Sequence, residues 1–342
     1  MNGTCKNDNL AIAICLFLRF YVILTENTKE SDMSSAKEYE IIQHSDMKHL
    51  EVFLVEMTSR SPHSHDDLEI GMLLEGSLTL HLERETFLLQ KGEIYLINRH
   101  QVHSFARTTS ENLILAFQIH TEFYKNINYA LEFLHFESNI IHSGRLHGII
   151  LESLRECADC YFSSTPYHDL KCASIMLDVL FRLVQSTHCS VRTEKEFSSA
   201  CRNAMRLNRM ISFINEHYTG QISLRDIADL ENISQYHASH FIKNALGVSF
   251  QEYLNQIRFA HALQLLQTTD LHILDICMET GFSSSRYLNQ MFRKNFGCCA
   301  KEYLKAEKKP ALPGASLPTG NIQKRYSIEQ AQKYWIRQQS MS

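Results

Sequence analysis

The chain has 342 residues, of which 44% are hydrophobic and 21% charged. Those values suit a soluble globular protein of two or three domains. The net charge of −4 hides a split. Residues 1–200 hold 17 Lys+Arg and 27 Asp+Glu, or −10, while residues 201–342 hold 17 and 11, or +6. The basic half suits a polyanion, and the acidic half does not.

The chain starts with an apolar extension, residues 1–32. Asn9–Leu24 is apolar apart from Asn9 and Arg19, yet short for a membrane span of roughly 20 residues. It also makes a poor signal peptide, with Arg19 in its core and no clear cleavage site. The expectation is that translation begins at Met33, with a membrane anchor as the alternative. Ten cysteines form no disulfide framework or zinc-ribbon spacing: Cys157 and Cys160 are a lone C-x-x-C, and Cys298 and Cys299 are adjacent. Reduced, mostly buried thiols are expected.

Residues 33–135 read as a β domain. Short runs (Glu51–Met57, Ile70–Leu74, Leu78–Leu82, Thr86–Leu89, Glu93–Ile97, Leu113–Ile119) are separated by turn signals at Ser61-Pro62, Glu75-Gly76 and Lys91-Gly92. Many short strands at near-regular spacing predict a barrel or sandwich. Residues 136–200 turn helical. Arg145–Tyr161 and His168–Thr187 carry apolar faces at helical spacing and suit dimerisation, and Ser190–Ser199 reads as a polar linker. Residues 201–306 are helical throughout. Residues 307–342 read as a flexible basic tail, with a Pro- and Gly-containing connector at Lys308–Asn321. A capped helix is predicted at Ser327–Gln338 from the Ser327/Gln330 spacing.

The helical half contains a repeat. Ile233–Leu254 and Ser283–Leu304 align on Gly247 and Gly297 and share Glu-Tyr-Leu at 252–254 and 302–304. Tyr236, Ser239, His240 and Lys243 in one copy match Arg286, Asn289, Gln290 and Arg293 in the other. Each set has i, i+3, i+4, i+7 spacing and so lies on one helix face. Ala238, Phe241 and Ile242, and Leu288, Met291 and Phe292, form the anchoring stripes. A short helix precedes each copy (Leu224–Leu230 and Ile273–Thr280). Asn232 and Gly281 suit the turns, and Ser234 and Ser283 suit N-caps. This is helix-turn-helix grammar, in which the second helix enters the major groove.

The helix predicted between the copies, Phe250–Thr268, spans roughly 28 Å at 1.5 Å per residue. Successive major-groove faces lie about 34 Å apart, so one chain can address two neighbouring segments. Expected DNA contacts are Gln235, Tyr236, Ser239, His240 and Lys243, and Ser285, Arg286, Asn289, Gln290, Arg293 and Lys294. Arg286 would bridge guanine, and Gln290 or Asn289 adenine, while Lys243, Arg293 and Lys294 would meet phosphate. For any single residue the alternative is a solvated helix face.

These residues resemble the AraC/XylS family of bacterial transcription regulators. The resemblance runs from Leu207 to Leu304 and is carried by Gly281-Phe282-Ser283-Ser284, Tyr287, Phe292, Phe296-Gly297 and Glu302-Tyr303. It implies sequence-specific promoter binding, transcription control with RNA polymerase as partner, and a cytoplasmic location. The chain departs from the family at Ala300, where proline is usual, and at His240 and Gln290, where arginine is frequent.

In the N-terminal half His63, His65, Glu69 and Gly76 match H-x-H-x3-E-x6-G, the first cupin motif. Gly92, Asn98 and His103 keep part of the second. The resemblance implies a cupin-like barrel (jelly roll) with an internal pocket. In the family setting this pocket takes a small effector such as a sugar, through His63, His65, Glu69 and His103, without a cofactor. The alternative is a metal-dependent cupin enzyme using the same four residues as ligands. The expected fold is thus α+β multidomain: a cupin-like β-barrel, a helical linker and an all-α double helix-turn-helix. The expected assembly is an effector-responsive homodimeric activator on promoter DNA, away from membranes.

Overall fold

The computed structural model describes residues 47, 49–108, 111–163, 165–305 and 320–339. The 1–32 extension and residues 306–319 of the connector lie outside the described residues.

The N-terminal half is built from β1 (Leu50–His63), β2 (Leu68–Glu75), β3 (Ser77–Leu82), β4 (Glu85–Gln90), β5 (Ile94–Ile97), β6 (His103–Arg107) and β7 (Leu113–Ile119), followed by β8 (Leu134–Phe136) and β9 (Ile140–Ile141). The main antiparallel sheet runs β4-β3-β6-β1-β7-β2-β5-β9. Side chains alternate along it, as the pleat requires. Val55, Leu73, Tyr95, Ile114 and Ala116 join one cluster, and Val52, Leu54, Ile70, Leu96 and Leu115 the other. Leu80 and Leu89, from one end of the strand order, share a cluster with Tyr95 and Ile97 from the other end. The sheet therefore curls into a half-barrel around that cluster.

Its outer face is covered by α1 (Arg145–Ser163) and α2 (His168–Ser186), which bury Ile150, Leu154, Cys157, Cys172, Ile175 and Val179. Among the described residues, the cysteines are free. No described helix is long and apolar enough to cross a membrane.

Two expectations need correction here. Ser61-Pro62 is no turn, because β1 continues through it to His63. The ladder to β6 shifts between Arg60 and His63, so Pro62 sits at an irregularity, where a missing amide is tolerated. Nor is Ser190–Ser199 a free linker. Cys189–Val191 forms β10, paired with β8. From Glu194 the chain is already in α3 (Glu194–His217), whose start is fixed by a reciprocal Thr193/Glu196 capping box.

The helical half continues as α4 (Leu224–Leu230), α5 (Gln235–Leu246), α6 (Phe250–Thr268), α7 (Ile273–Glu279), α8 (Ser285–Phe296) and α9 (Ala300–Lys305). It has two cores. Leu207, Ile211, Ile227, Ile242 and Ile257 belong to the first, and Phe259, Ala262, Ile276, Leu288 and Phe292 to the second. The helix α6 supplies both, because apolar residues on two of its sides serve different neighbours.

The repeated Glu-Tyr-Leu proves structural. Glu252 accepts from the Ser249 amide (2.9 Å) and Glu302 from the Cys299 amide (2.7 Å), which fixes the starts of α6 and α9. Tyr253 and Tyr303 are buried.

The described part of the basic tail is not flexible connector. Ile322–Arg325 forms β11, antiparallel to β1, and Ile328–Gln339 forms α10. Its Ser327/Gln330 spacing caps it as predicted, with Gln330 N donating to Ser327 Oγ (3.3 Å) and Ser327 N to Gln330 Oε1 (3.1 Å). The tail stays because it has apolar surface to bury: Ala331 and Trp335 enter the core beneath α1, with Trp335 against Phe162.

Candidate functional site

Each reading helix is held by its own ends. In α5, Ser234 Oγ accepts from the His237 amide (3.2 Å), and Gly247 closes the helix in the left-handed region at φ 75°. In α8 the N-cap is Ser284, one residue later than predicted, and Gly297 closes the helix at φ 72°. Ala238, Ile242 and Leu246 anchor α5, and Leu288 and Phe292 anchor α8. The opposite stripes face outward. Gln235, Tyr236, His240 and Lys243 are exposed, as are Arg286, Gln290, Arg293 and Lys294. Ser239, Ser285 and Asn289 are half-buried. Tyr236 and His240 pack against each other on this face, their rings tilted by 51° with centroids 4.4 Å apart.

One predicted contact has another employment. Asn289 Oδ1 accepts from the Ala300 amide (2.9 Å), so this side chain braces α9 from within the protein. Sequence spacing missed it because the partner lies eleven residues away across a turn.

The first reading unit is also tied to neighbouring elements. Arg206 and Arg209 of α3 both pair with Glu231 in its turn, at 3.4 and 2.7 Å. Arg84, in the turn between β3 and β4, donates to the Asn244 carbonyl (3.1 Å) and side chain (2.8 Å). Beside this contact lies a cavity of about 460 Å³, bordered by Arg99, His100, Asn203, His240 and Asn244. The sensor rim and the first reading helix thus share a wall.

In the sensor, strand pairing places His63 opposite His103 at the β1–β6 ladder. The structure brings the four predicted residues together, and three of them converge through possible ligand atoms. His65, Glu69 and His103 are buried, with possible ligand atoms within 4.8 Å of one another. His63 packs its ring on that of His103, with centroids 4.1 Å apart, but its nitrogens are engaged elsewhere: its Nδ1 donates to the Ser61 carbonyl (2.9 Å), and its Nε2 accepts from Arg60 Nε (3.4 Å). A carbonyl can only accept. The contacts of His65 Nδ1 to Asp67 O and of His103 Nδ1 to Gln101 O, both 3.0 Å, therefore put protons on those nitrogens. The Nε2 atoms then turn inward. His65 Nε2 lies 3.2 Å from Glu69 Oε2. Among the described residues His103 Nε2 has no hydrogen-bond partner.

Glu69 also accepts from Tyr95 Oη (2.8 Å) and Gln118 Nε2 (3.1 Å), two residues the motif did not indicate. Tyr95 reaches Glu69 because Gly71 leaves room: a Cβ there would lie 1.9 Å from the Tyr95 ring. Burial pushes the Glu69 carboxyl up, but the hydrogen bond and charge of His65, with His103 and Tyr95, bring it down to about 2. Burial, then the charge of His65, lowers His103 to about 3. The cluster is a carboxylate held among imidazoles in a closed site. It can hold a proton or a cation between Glu69 and the rings.

Two family models match the chain: a helix-turn-helix domain over residues 227–306 and an AraC-like ligand-binding domain over residues 55–123. The first covers both reading helices, and the second covers the half-barrel with its cluster. Both halves of the chain are thus similar to parts of AraC-type regulators. It is similar to the HTH-type transcriptional activator RhaS of Klebsiella pneumoniae, at 23% identity over 68% of this chain and 84% of that protein. It is also similar to the lactose operon transcription activator of Staphylococcus xylosus, at 36% identity over 28% of this chain and 35% of that protein. Among solved structures it resembles ToxT of Vibrio cholerae, at 15% identity and a TM-score of 0.35, over 75% of this chain and 97% of that one.

The chain is thus a DNA-binding transcription regulator with a ligand-binding half. Its departure at Ala300 has a structural meaning. Alanine keeps the amide that proline would lack, and that amide is the group Asn289 bonds.

Proposed function

We propose that this regulator reads two adjacent major-groove segments of promoter DNA through α5 and α8, and activates transcription with RNA polymerase in response to a small effector. The observation that carries the reading is the pair of exposed polar stripes, each on a helix with its own core and caps. Arg286 and Gln290 are the base-reading candidates of α8, and Gln235, Tyr236 and His240 those of α5. Lys243, Arg293 and Lys294 meet phosphate. A sugar is the favoured effector class, supported by the likeness to a lactose operon activator. We assign the chain no catalytic activity and a cytoplasmic location. It works as a homodimer through the α1–α2 region, where Leu170 and Phe181 lie exposed eleven residues apart, on one helix face.

The test is a footprint of the full chain on DNA flanking its own gene. Two neighbouring protected segments, lost in Arg286→Ala, support the reading. Protection indistinguishable between wild type and Arg286→Ala would refute it.

A second reading concerns the sensor cluster. The inward Nε2 atoms of His65 and His103, the latter unpartnered among the described residues, fit a divalent cation shared with Glu69. Backbone carbonyls that fix both tautomers are the usual support for such ligands. A cation there would neutralise the buried carboxylate and leave positions for an effector oxygen. Metal analysis of purified protein decides: stoichiometric metal, lost when His65 and Glu69 are both changed to Ala, supports it, and metal-free protein that still responds to effector excludes it.

A further inference from the structure

The two reading units end their first helices in the same conformation with different residues. Asn232 closes α4 at φ 52°, and the next amide, Ile233 N, donates to Ala228 O (3.0 Å). Gly281 closes α7 at φ 75°, and Phe282 N donates to Cys277 O (2.9 Å). Both are left-handed helix terminators of the six-to-one type. Asparagine tolerates that conformation, so φ alone does not require glycine in the second copy.

Close approach does. A Cβ on Gly281 would lie 2.6 Å from Tyr218 O and 2.7 Å from Thr219 O. Those carbonyls belong to the turn after α3, in the first unit. The backbone of the second unit's turn is therefore seated directly on the first unit.

The same turn is gripped from the shared helix. Arg258 of α6 donates from Nε to Tyr218 O (2.8 Å) and from Nη2 to Gly220 O (2.7 Å). His261, three residues on, stacks flat on the Tyr218 ring at 4.4 Å and 8°. The apolar cores do not supply this link, since they form separate clusters joined through α6. With α6 alone, bending or rotation at one helix would change the separation of α5 and α8. A planar guanidinium fork on two carbonyls, with a backbone contact beside it, removes that freedom.

We infer that Arg258, His261 and Gly281 form a joint that sets the distance and angle between the reading helices, and so selects the spacing between the two DNA elements. Arg258 and His261 act as positioning residues and touch no base. The inference rests on the reading that both helices engage DNA.

The test begins with a site selected from random DNA by the full-length chain. Affinity is then measured on that site, on versions with one or two base pairs inserted between the protected elements, and on fragments carrying one element. Wild type should lose about tenfold or more per insertion, the scale of a mismatched contact. Arg258→Met should bind the selected and inserted sites within about threefold of each other, well inside one mismatch, and bind single elements like wild type. Arg258→Lys, whose single ammonium lacks the fork, should fall between, and His261→Leu should relax spacing as Arg258→Met does. If Arg258→Met and His261→Leu keep the wild-type spacing dependence, the joint is refuted while two-helix reading stands. A one-element selected site for wild type would remove the two-helix reading and the joint together. Equal losses on single elements and full sites would assign Arg258 to folding and also refute the joint.

Discussion

Asn289 gives its side-chain oxygen to the backbone amide of Ala300, 2.9 Å away, although it shares the face of Arg286 and Gln290. Face sharing alone therefore does not make a residue a reader. Asn289→Ala should lower the stability of the second unit by about 1 kcal/mol, the usual value of such a bond. Its DNA affinity should fall equally on every base variant of the site. Denaturant melts beside binding to a set of single-base variants check this, and loss confined to one base pair would restore Asn289 as a reader.

Arg286 is exposed at the first turn of α8. Arg286→Ala should cost ~1–3 kcal/mol at one cognate base pair and relax selectivity there. The same base-variant panel reads it out. Lys294→Ala should instead weaken all sequences alike and reduce the salt dependence of binding.

The C-terminal segment is part of the sensor. Trp335 is the sole tryptophan of the chain, is 9% exposed and packs on Phe162. Trp335→Ala should destabilise the half-barrel by about 3–5 kcal/mol. Removal of residues 320–342 should also expose the edge of β1 that β11 pairs, and promote aggregation. Because only one indole is present, its emission should shift red in the same denaturant transition that unfolds the sheet. A shift well before that transition would show a loosely docked tail.

His135 of β8 accepts from Arg192 Nη2 (2.9 Å). Burial, and then the Arg192 charge, lower its pKa to about 4. The unfolded imidazole titrates near 6.5, so between about 4 and 6.5 the unfolded chain binds a proton that the folded one refuses. Stability from this residue is present above that window and is lost as pH falls through it. His135→Gln should flatten the stability curve between pH values of about 4 and 6.5. An unchanged slope in urea melts would show that other groups carry it.

The repeat, the two reading helices and the half-barrel strands were legible because they rest on local rules: helical spacing, left-handed turn residues and alternation along a pleat. The cupin-motif histidines were also visible, but spacing could not tell that His63 bonds Arg60 and Ser61 while His65 and His103 face Glu69. That difference depends on which backbone carbonyl each ring meets, and those carbonyls are placed by strand register.

The sequence by itself determined that this chain has a barrel-like half and two capped helices with exposed polar faces, because each of those needs only its own periodicity and caps. Only the tertiary structure decided that Asn289 bonds the Ala300 amide, that Gly281 must be glycine, and that residues 322–337 pack onto the half-barrel. Each of those depends on atoms far apart in the chain meeting at a few ångströms: the Ala300 amide, the Tyr218 carbonyl, and the open edge of β1. Local pattern carries no record of such meetings, since the same side chains would satisfy the same helices without them.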